Sequence, residues 1–237
     1  MRAHHEKSLS QRFSILRNDF SSYYLMINTM ETSLILMILQ TCCFITAWLL
    51  IDRHVTHHGP IPAARTLNRW HSRVYSVLSA LLLYLTLSPT HDEAARTLYH
   101  ISKFWEYIDV LTVRAGGGLI DLHFGFHHLT TPYLTFFRVL RNSEGWRTFT
   151  ALNTAHHALM YAYFGGASAF RPVLDFTGCA QLVIGIIMEA TMLWSRDTDE
   201  VRVLPHVFAA GLLGSYLVLW AREMTMRRIE RSEVKNT

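Results

Sequence analysis

Residues 34–51 read LILMILQTCCFITAWLLI, a run of eighteen residues that contains no charged side chain. A hydrocarbon layer of roughly 30 Å requires about this length of apolar helix. The run ends at Asp52 and Arg53, which are charged residues of the kind that flank membrane spans. This stretch therefore predicts a transmembrane helix, and it identifies the chain as a membrane protein.

Six further apolar runs follow the first and are separated by short polar connections. Half of the 237 residues are hydrophobic and only 17% are charged, values that exclude a disordered chain. The later spans are predicted at 74–87, 97–113, 119–140, 149–167, 173–194 and 204–220. We therefore predict an all-α, polytopic membrane protein with about seven transmembrane helices. It would form one domain over 1–237, with a polar N-terminal segment at 1–22 and a basic tail at 221–237.

The charge of the chain is basic but dispersed. The net charge is +4, and 19 of the 22 basic residues are arginine. A nucleic-acid-binding protein would concentrate such charge on one face of a polar domain. Here the basic residues mostly flank apolar runs, as is typical of membrane proteins. The lipid bilayer is the expected partner, and no nucleic acid is expected.

Three ionisable side chains interrupt the third predicted span. Lys103, Glu106 and Asp109 follow one another at intervals of three residues, so neighbours lie one helical turn apart. Charged groups inside a membrane are costly and by default indicate function. The spacing alone leaves two interpretations open, an ion-paired network that only tethers helices or part of a functional site.

The fourth span contains three histidines within six residues. His123 and His127 are four residues apart and share one face of a helix, and His128 lies on the neighbouring face. Two imidazoles at this spacing can bind a metal ion together or flank a substrate. Such a density of titratable rings in a membrane helix favours a chemical function over packing.

The fifth span carries a polar stripe. Asn153, His157 and Tyr161 recur every four residues, with Met160 beside them. An amide, an imidazole and a phenol on one face can orient a carbonyl group and stabilise negative charge on its oxygen. Together with the third and fourth spans, this one is predicted to form the functional site.

These three segments resemble the motifs of a known family. The strings KFWEYID (103–109), HFGFHH (123–128) and NTAHHALMYAYF (153–164) resemble, in the same order, the motifs KxxExxD, HxxHH and NxxxHxxMYxYY of ELO-type very-long-chain fatty-acid elongases. The resemblance covers roughly 30–220, and its motif core is 103–194. It implies a multi-pass protein of the endoplasmic reticulum membrane, with seven helices around a tunnel for the acyl chain.

The resemblance also implies a reaction and its partners. Such an enzyme is a 3-oxoacyl-CoA synthase, an acyltransferase of fatty-acid biosynthesis. It condenses malonyl-CoA with a long-chain acyl-CoA and releases CO2 and CoA. No metal or organic cofactor is expected. The expected partners are the two CoA substrates, the other enzymes of the elongation cycle and a second copy of the chain.

Residue roles are carried over on the matching positions. His127 would be the nucleophile, because a neutral imidazole can take the acyl group and form an acyl-imidazole intermediate. His128 would orient it or act as a general base, and Asn153 and His157 would stabilise developing negative charge. The residues expected to bind substrate are Lys103, Glu106, Asp109, His123, Met160, Tyr161 and Gln181.

The sequence departs from the family pattern at several positions. The histidine motif reads HxxxHH, with Phe124 in the place of the first histidine, so His123 is displaced by about 100° of helix. A local bulge in the helix would restore its direction. A later TxxQxxQ motif is represented by Thr177 and Gln181 with a different spacing, and Ile184 stands at the second glutamine.

Two other functions remain as alternatives. The residues 54–58 contain a second HxxHH string, expected in a Gly/Pro loop, and with 123–128 they superficially fit a di-iron membrane desaturase or hydroxylase. That class needs a further histidine group towards the C-terminus, where only His206 is present. A seven-helix transporter or receptor-like protein would use the membrane charges for a proton or ligand path.

Overall fold

The computed structural model describes residues 34–141, 143–194 and 200–236. Within these ranges the chain is helical and contains no strand. The predicted polar segment 1–22 lies outside the described residues. The helices are α1 (Leu34–His58), α2 (Pro62–Leu87), α3 (Asp92–Trp105), α4 (Tyr107–Ala115), α5 (Leu122–Thr135), α6 (Trp146–Phe164), α7 (Arg171–Trp194) and α8 (Glu200–Asn236).

The chain divides into two compact units, Met1–Ile45 and Thr46–Thr237. The first unit contributes 34–45 to the described part, the beginning of α1, where Ile35 and Leu36 expose most of their side chains. The second unit contains the end of α1 and the helices α2 to α8. The polar contacts of the protein interior lie within this second unit. The prediction of one domain over the whole chain stays a prediction.

Among the described residues, three helices are long and apolar enough to cross a membrane, Leu34–His58, Ser168–Trp194 and Val203–Arg227. A fourth candidate consists of Pro62–Leu87 and Pro89–Ala115, which meet at an angle of 102°. The predicted spans at 119–140 and 149–167 fall on α5 and α6, which are 14 and 19 residues long. These helices confirm the predicted class, an all-α polytopic membrane protein.

The distribution of side chains is that of a protein in lipid. Val77, Phe176 and Val218 are 69%, 74% and 68% exposed, respectively. In contrast, Lys103 and Glu106 are 1% and 0% exposed. A water-soluble protein almost never buries such charges while it exposes large apolar side chains. The apolar exterior therefore suits the hydrocarbon core, and the polar interior is where function is expected.

The helices of the second unit pack in a closed ring. In order around the ring, α2 contacts α6, α6 contacts α7, α7 contacts α8, α8 contacts α5, and α5 contacts α3. The ring closes where α3 and α4 pack against α2. Every helix of the ring therefore has one side towards a shared interior, where titratable side chains from distant parts of the sequence can meet.

The prediction of a polar loop after the first span is wrong. Helix α1 continues to His58, and α2 begins at Pro62, so the connection is only three residues long. Gly59 adopts φ +83°, a left-handed conformation that glycine tolerates best. A proline can begin a helix because its missing N–H would have had no helical partner there. The histidines of 54–58 consequently lie on the last turn of a helix and are exposed.

The third predicted span is two helices rather than one. The chain forms α3 and α4, with the break at Glu106, whose backbone N–H still donates to Ser102 O at 3.1 Å. Lys103 therefore lies at the end of one helix and Asp109 in the first turn of the next. The expected continuous stripe of three charges is interrupted.

The bulge expected near His123 is absent from α5, which is regular α-helix over Leu122–Thr135. Asp121 caps this helix and accepts a hydrogen bond from Phe124 N at 2.7 Å. A widened π-helical segment follows only later, at Phe136–Leu140. His123 thus keeps its displaced direction. At the other end of the chain, residues 221–236 continue α8, so the described part of the basic tail is helical.

A buried ion-pair cluster, here called the clamp, joins the π-helical segment Phe136–Leu140 to α7 and α8. It consists of Arg138, Glu189 and His206, each 1% exposed. Arg138 lies 2.6 and 2.7 Å from Glu189 Oε1 through Nη2 and Nε. His206 Nδ1 lies 2.7 Å from the other oxygen, Oε2. Both oxygens of the buried carboxylate are therefore satisfied by partners from two other segments.

Candidate active site

Glu106 is the centre of the buried polar interior. Its Oε1 atom accepts hydrogen bonds from Tyr75 OH at 2.6 Å and from Lys103 Nζ at 2.6 Å. His157 Nδ1 lies 3.1 Å from the same oxygen. The carboxylate therefore connects α2, α3 and α6, and three donors converge on one of its atoms.

The other oxygen of Glu106 is left without such partners. His128 Nδ1 lies 3.9 Å from Oε2, beyond hydrogen-bond distance. Neither atom has a hydrogen-bond partner within the described ranges, although both are buried. Buried polar atoms are nearly always hydrogen-bonded. These two unpaired atoms therefore indicate a position where another polar group, such as one from a ligand, can bind.

Asn153 extends the cluster towards α7. Its Oδ1 atom accepts from Tyr99 OH at 2.7 Å and from Lys103 Nζ at 2.8 Å. Its Nδ2 atom donates to Gln181 Oε1 at 3.1 Å and lies 3.3 Å from His157 Nε2. The amide is thus oriented at both ends, because its oxygen faces only donors and its nitrogen faces only acceptors.

These contacts also define the tautomer of His157. Its Nδ1 atom faces a carboxylate, and its Nε2 atom faces the amide N–H of Asn153. The ring is therefore assigned as Nδ1–H donating to Glu106, with Nε2 as an acceptor. The basic nitrogen of the ring, Nε2, is thus directed towards the amide of Asn153.

His127 lies beside this cluster on α5 and is half-buried. Its ring centroid is 4.7 Å from that of Tyr216 and 5.4 Å from that of His128. The Nδ1 atom is buried and makes no hydrogen bond to any residue that the structure describes. Glu106, His127 and His157 each contribute one potential ligand atom, and these three atoms lie within 4.8 Å of one another. The Nδ1 atom of His127 is consequently without a hydrogen-bond partner among the described residues, next to the charged cluster.

The same three donor atoms are close enough to bind a metal ion. Against this, Lys103 Nζ already donates to Glu106 Oε1 at 2.6 Å, and its positive charge opposes a second cation. No group of three metal-binding side chains in the described ranges includes a histidine of 54–58. The arrangement therefore does not favour the di-iron alternative. The absence of a cofactor stays a prediction.

The spacing had suggested that Asp109 joins the Lys103–Glu106 pair, but it does not. Its Oδ1 atom lies 2.8 Å from His71 Nδ1, and its Oδ2 atom accepts a hydrogen bond from Tyr161 OH. The three predicted charges therefore belong to two neighbouring networks, one centred on each carboxylate. The ring of Tyr161 lies 5.5 Å from that of His157, which brings the two networks into contact.

A small cavity of about 20 Å³ lies between the cluster and the apolar part of the ring. This is room for about one water molecule. Lys103, His127 and Asn153 form its polar wall. Its remaining lining comes mainly from α5 to α8 and is largely apolar: Tyr99, Thr131, Leu134, Thr135, Phe149, Gln181, Leu182, Leu213 and Tyr216.

The structure thus brings most predicted site residues together. Lys103, Glu106, Asn153, His157 and Gln181 form one hydrogen-bonded network, with His127 and His128 beside it.

Asp109 and Tyr161 belong to the neighbouring network, and two further predicted residues lie apart from both networks. His123 is half-buried, and its ring lies 5.8 Å from that of His127. Met160 is half-buried on α6 and has no polar contact with the network among the described residues. Whether the predicted residues bind substrate stays a prediction.

Sequence reasoning missed three aromatic partners of the network. Tyr99 lies one turn before Lys103, a spacing that could have revealed it. His71 and Tyr75 are four residues apart on the buried face of α2. The signal for His71 was hidden because its segment was interpreted as a loop. Once 62–87 is treated as one helix, the pair of polar aromatic residues facing inward becomes visible.

The fold and the interior define a class, a polytopic helical membrane protein with a buried, charged site next to an apolar cavity. Residues 88–230 match the model of the family described as ELO, GNS1/SUR4 family. The match covers more than half of the chain and all three motifs, and the chain belongs to this family. Membership places the protein in fatty-acid elongation and confirms the resemblance drawn from the motifs.

Proposed function

We propose that the protein is a 3-oxoacyl-CoA synthase that condenses malonyl-CoA with a long-chain acyl-CoA through an acyl-imidazole on His127. The observation that carries the proposal is the free, buried Nδ1 atom of His127 beside the charged cluster and the cavity. Family membership supports the reaction class. A neutral imidazole is a competent nucleophile for a thioester, and the covalent intermediate divides one difficult step into two.

In the first half of the reaction, an imidazole nitrogen of His127 attacks the thioester carbonyl carbon. The C–S bond breaks, and the CoA thiolate leaves with the electron pair. Negative charge develops on the carbonyl oxygen during the attack. Lys103 and Asn153 line the same cavity wall as His127. Lys103 can donate its third N–H to that oxygen, and Asn153 can donate once one of its N–H groups leaves Gln181 or His157. His128 is the neighbouring ring that can orient His127 or accept its proton.

In the second half, malonyl-CoA loses its carboxylate as CO2, and the electron pair of the broken C–C bond remains on C2 as an enolate. The enolate attacks the acyl carbon on His127, a new C–C bond forms, and the imidazole leaves. The Nε2 atom of His157, with its tautomer fixed by Glu106, faces the site. It can take up a proton and then stabilise the enolate oxygen.

The apolar part of the cavity is where the acyl chain would bind. Leu134, Leu182 and Leu213 line it from α5, α7 and α8. The present volume of about 20 Å³ accommodates a water molecule but no acyl chain. Binding would therefore require these helices or their side chains to separate, and the expected tunnel would open only with its substrate.

The remaining expectations belong to the same proposal. The chemistry requires no metal ion or organic cofactor. By resemblance to the elongases, the protein would work in the endoplasmic reticulum membrane as a multi-pass enzyme. It would act beside the reductases and the dehydratase of the elongation cycle, and it could assemble with a second copy of itself.

The test uses the purified full-length protein in lipid nanodiscs. Labelled malonyl-CoA and a series of acyl-CoA primers are supplied to the wild type, to His127→Ala and to His54→Ala, an exposed histidine outside the site. We expect the wild type and His54→Ala to incorporate label and His127→Ala to incorporate none. Mass spectrometry should find an acyl adduct on His127 when malonyl-CoA is omitted. Equal incorporation by His127→Ala, or stoichiometric iron in an inactive wild type, would contradict the proposal.

A further inference from the structure

Beyond the nucleophile and its cluster, the interior contains a second buried pair, His71 and Asp109. His71 is 6% exposed and Asp109 is 5% exposed. His71 Nδ1 lies 2.8 Å from Asp109 Oδ1. The imidazole packs against the rings of Tyr75 and Trp105, with both centroids 5.8 Å away and nearly parallel planes. The orientation of His71 towards the carboxylate is therefore fixed by packing.

The need for charge neutrality determines how many protons this pair carries. Among the described residues, the only ion-pair partner of Asp109 is His71, because Lys103 pairs with Glu106. Tyr161 OH donates to the other oxygen of Asp109, but it brings no charge. A buried carboxylate without a counter-charge is very costly. A neutral histidine beside a carboxylate has a net charge of −1. The pair therefore becomes electrically neutral only when it carries one additional proton.

The charged and titratable groups around the pair do not replace that proton. From α3 comes Lys103, which Glu106 already neutralises at 2.6 Å. From α5 and α6 come His128 and His157, and both are closest to Glu106. From α2 and α6 come the uncharged phenols of Tyr75 and Tyr161.

One more feature separates this histidine from a packing residue. Both ring nitrogens of His71 are buried, and neither makes an aligned hydrogen bond in the part of the chain that the structure describes: Nδ1 lies close to Asp109 Oδ1, and Nε2 has no partner. A histidine that only linked two helices would gain by satisfying both nitrogens, since an unsatisfied buried donor or acceptor is costly. A free nitrogen on a ring that also contacts a carboxylate is what proton exchange requires.

The condensation, if the proposed function is correct, consumes one proton in each cycle. Acyl-CoA and the malonyl-CoA carboxylate yield the 3-oxoacyl-CoA, CO2 and a CoA thiolate. The thiolate sulfur, which left with the C–S electron pair, must then be protonated to give CoA. In a buried site the direct supply of this proton from bulk water is slow.

We propose that the His71–Asp109 pair stores this proton and supplies it to the departing CoA thiolate. The N–H bond of His71 breaks, an S–H bond forms on CoA, and His71 is left neutral until it takes up a proton from water. Tyr161, which donates to Asp109 and lies next to His157, connects the store to the catalytic cluster. His71 is thus a further residue for the reaction, and it lies outside all three motifs.

The test compares His71→Gln with the wild type in the nanodisc assay. Glutamine can donate to Asp109 but cannot hold the additional proton. We expect kcat of His71→Gln at pH 8 to fall at least tenfold, with KM for the acyl-CoA within about twofold. The loss should be smaller at pH 6, where solvent supplies protons more readily. The burst of CoA released from acyl-CoA alone should show the same pH dependence.

Two further variants keep the test decisive. His100→Gln is the matched control, because His100 is also buried but contacts the neutral Thr135 at 2.9 Å. Its pH profile should follow that of the wild type. His71→Gln combined with Asp109→Asn removes the unpaired charge, so it should restore thermal stability without restoring kcat. Recovery of activity with the wild-type pH profile in this double variant would show that the pair is only structural.

The outcomes separate this inference from the proposed function. If the wild type condenses the substrates and His71→Gln keeps its rate and pH profile, the proton store is wrong and the proposed function stands. If the wild type neither transfers an acyl group nor condenses malonyl-CoA, both are wrong.

Discussion

The interior holds two buried clusters of similar composition, the candidate-site cluster around Glu106 and the clamp around Glu189. In each, a carboxylate that is at most 1% exposed contacts a basic side chain and a histidine. Glu189 uses both oxygens, with Arg138 on one and His206 on the other. Glu106 receives three donors on one oxygen and none on the other within the described residues.

The difference teaches how similar chemistry serves two purposes. A buried carboxylate whose two oxygens are both paired is a structural element, because moving a partner would expose an uncompensated charge. A carboxylate with one free oxygen, next to an imidazole with a free nitrogen and a cavity, can respond to a substrate. The pairing of the two carboxylate oxygens therefore distinguishes the candidate site from the clamp more clearly than charge or burial does, although Nη1 of Arg138 in the clamp also has no hydrogen-bond partner among the described residues.

The largest effect is expected on the reactive side of this comparison. His127→Ala should reduce condensation at least 10⁴-fold, since losing a covalent nucleophile removes the pathway rather than slowing it. The ring is half-buried, so folding should change little. Product formation and thermal unfolding of the same preparation provide the two measurements. Residual activity above one per cent would mean that the nucleophile is another residue.

Glu106→Gln should reduce kcat about 10³-fold, within the range of a lost general acid–base contact. Glutamine cannot hold His157 in one tautomer by charge, and it leaves Lys103 without its counter-charge. Activity should be normalised to folded protein by size-exclusion chromatography. A variant that folds and retains normal kcat would remove Glu106 from the mechanism.

Glu189→Gln tests the clamp and should destabilise the protein by about 3 kcal/mol, because Arg138 becomes a buried charge without a partner. In contrast to Glu106→Gln, kcat per folded molecule should stay near the wild-type value. Chemical unfolding in detergent gives the first quantity, and the condensation assay gives the second. If activity per folded molecule collapses while stability is kept, the clamp is part of the site and the comparison fails.

The smallest effect is expected for an exposed ion pair. Arg227 lies 3.3 Å from Asp121 and joins α8 to the start of α5, but its side chain is 52% exposed. Arg227→Gln should cost between about 0 and 1 kcal/mol of stability, because water and salt screen such pairs. The same unfolding experiment in low and high salt measures it. A loss of stability comparable to that of Glu189→Gln would mean that exposure does not predict how much an ion pair contributes to stability in this protein.

The sequence by itself determined the class, the family and most of the members of the candidate site. An uncharged run at 34–51 predicts a membrane span because the bilayer admits little else, and three local motifs identify the elongase family. These signals are local, since residues three or four apart in a helix share a face whatever the rest of the chain does. Lys103 with Glu106, and Asn153 with His157, could therefore be paired without a structure.

Only the tertiary structure decided which distant groups satisfy one another. It assigned Asp109 to His71 rather than to Lys103, and it brought Arg138, Glu189 and His206 together from three separate segments. It also showed that α5 has no bulge at His123 and that α2 begins at Pro62. The physical reason is that packing around a closed ring chooses partners by proximity in space, and sequence spacing carries no information about that choice.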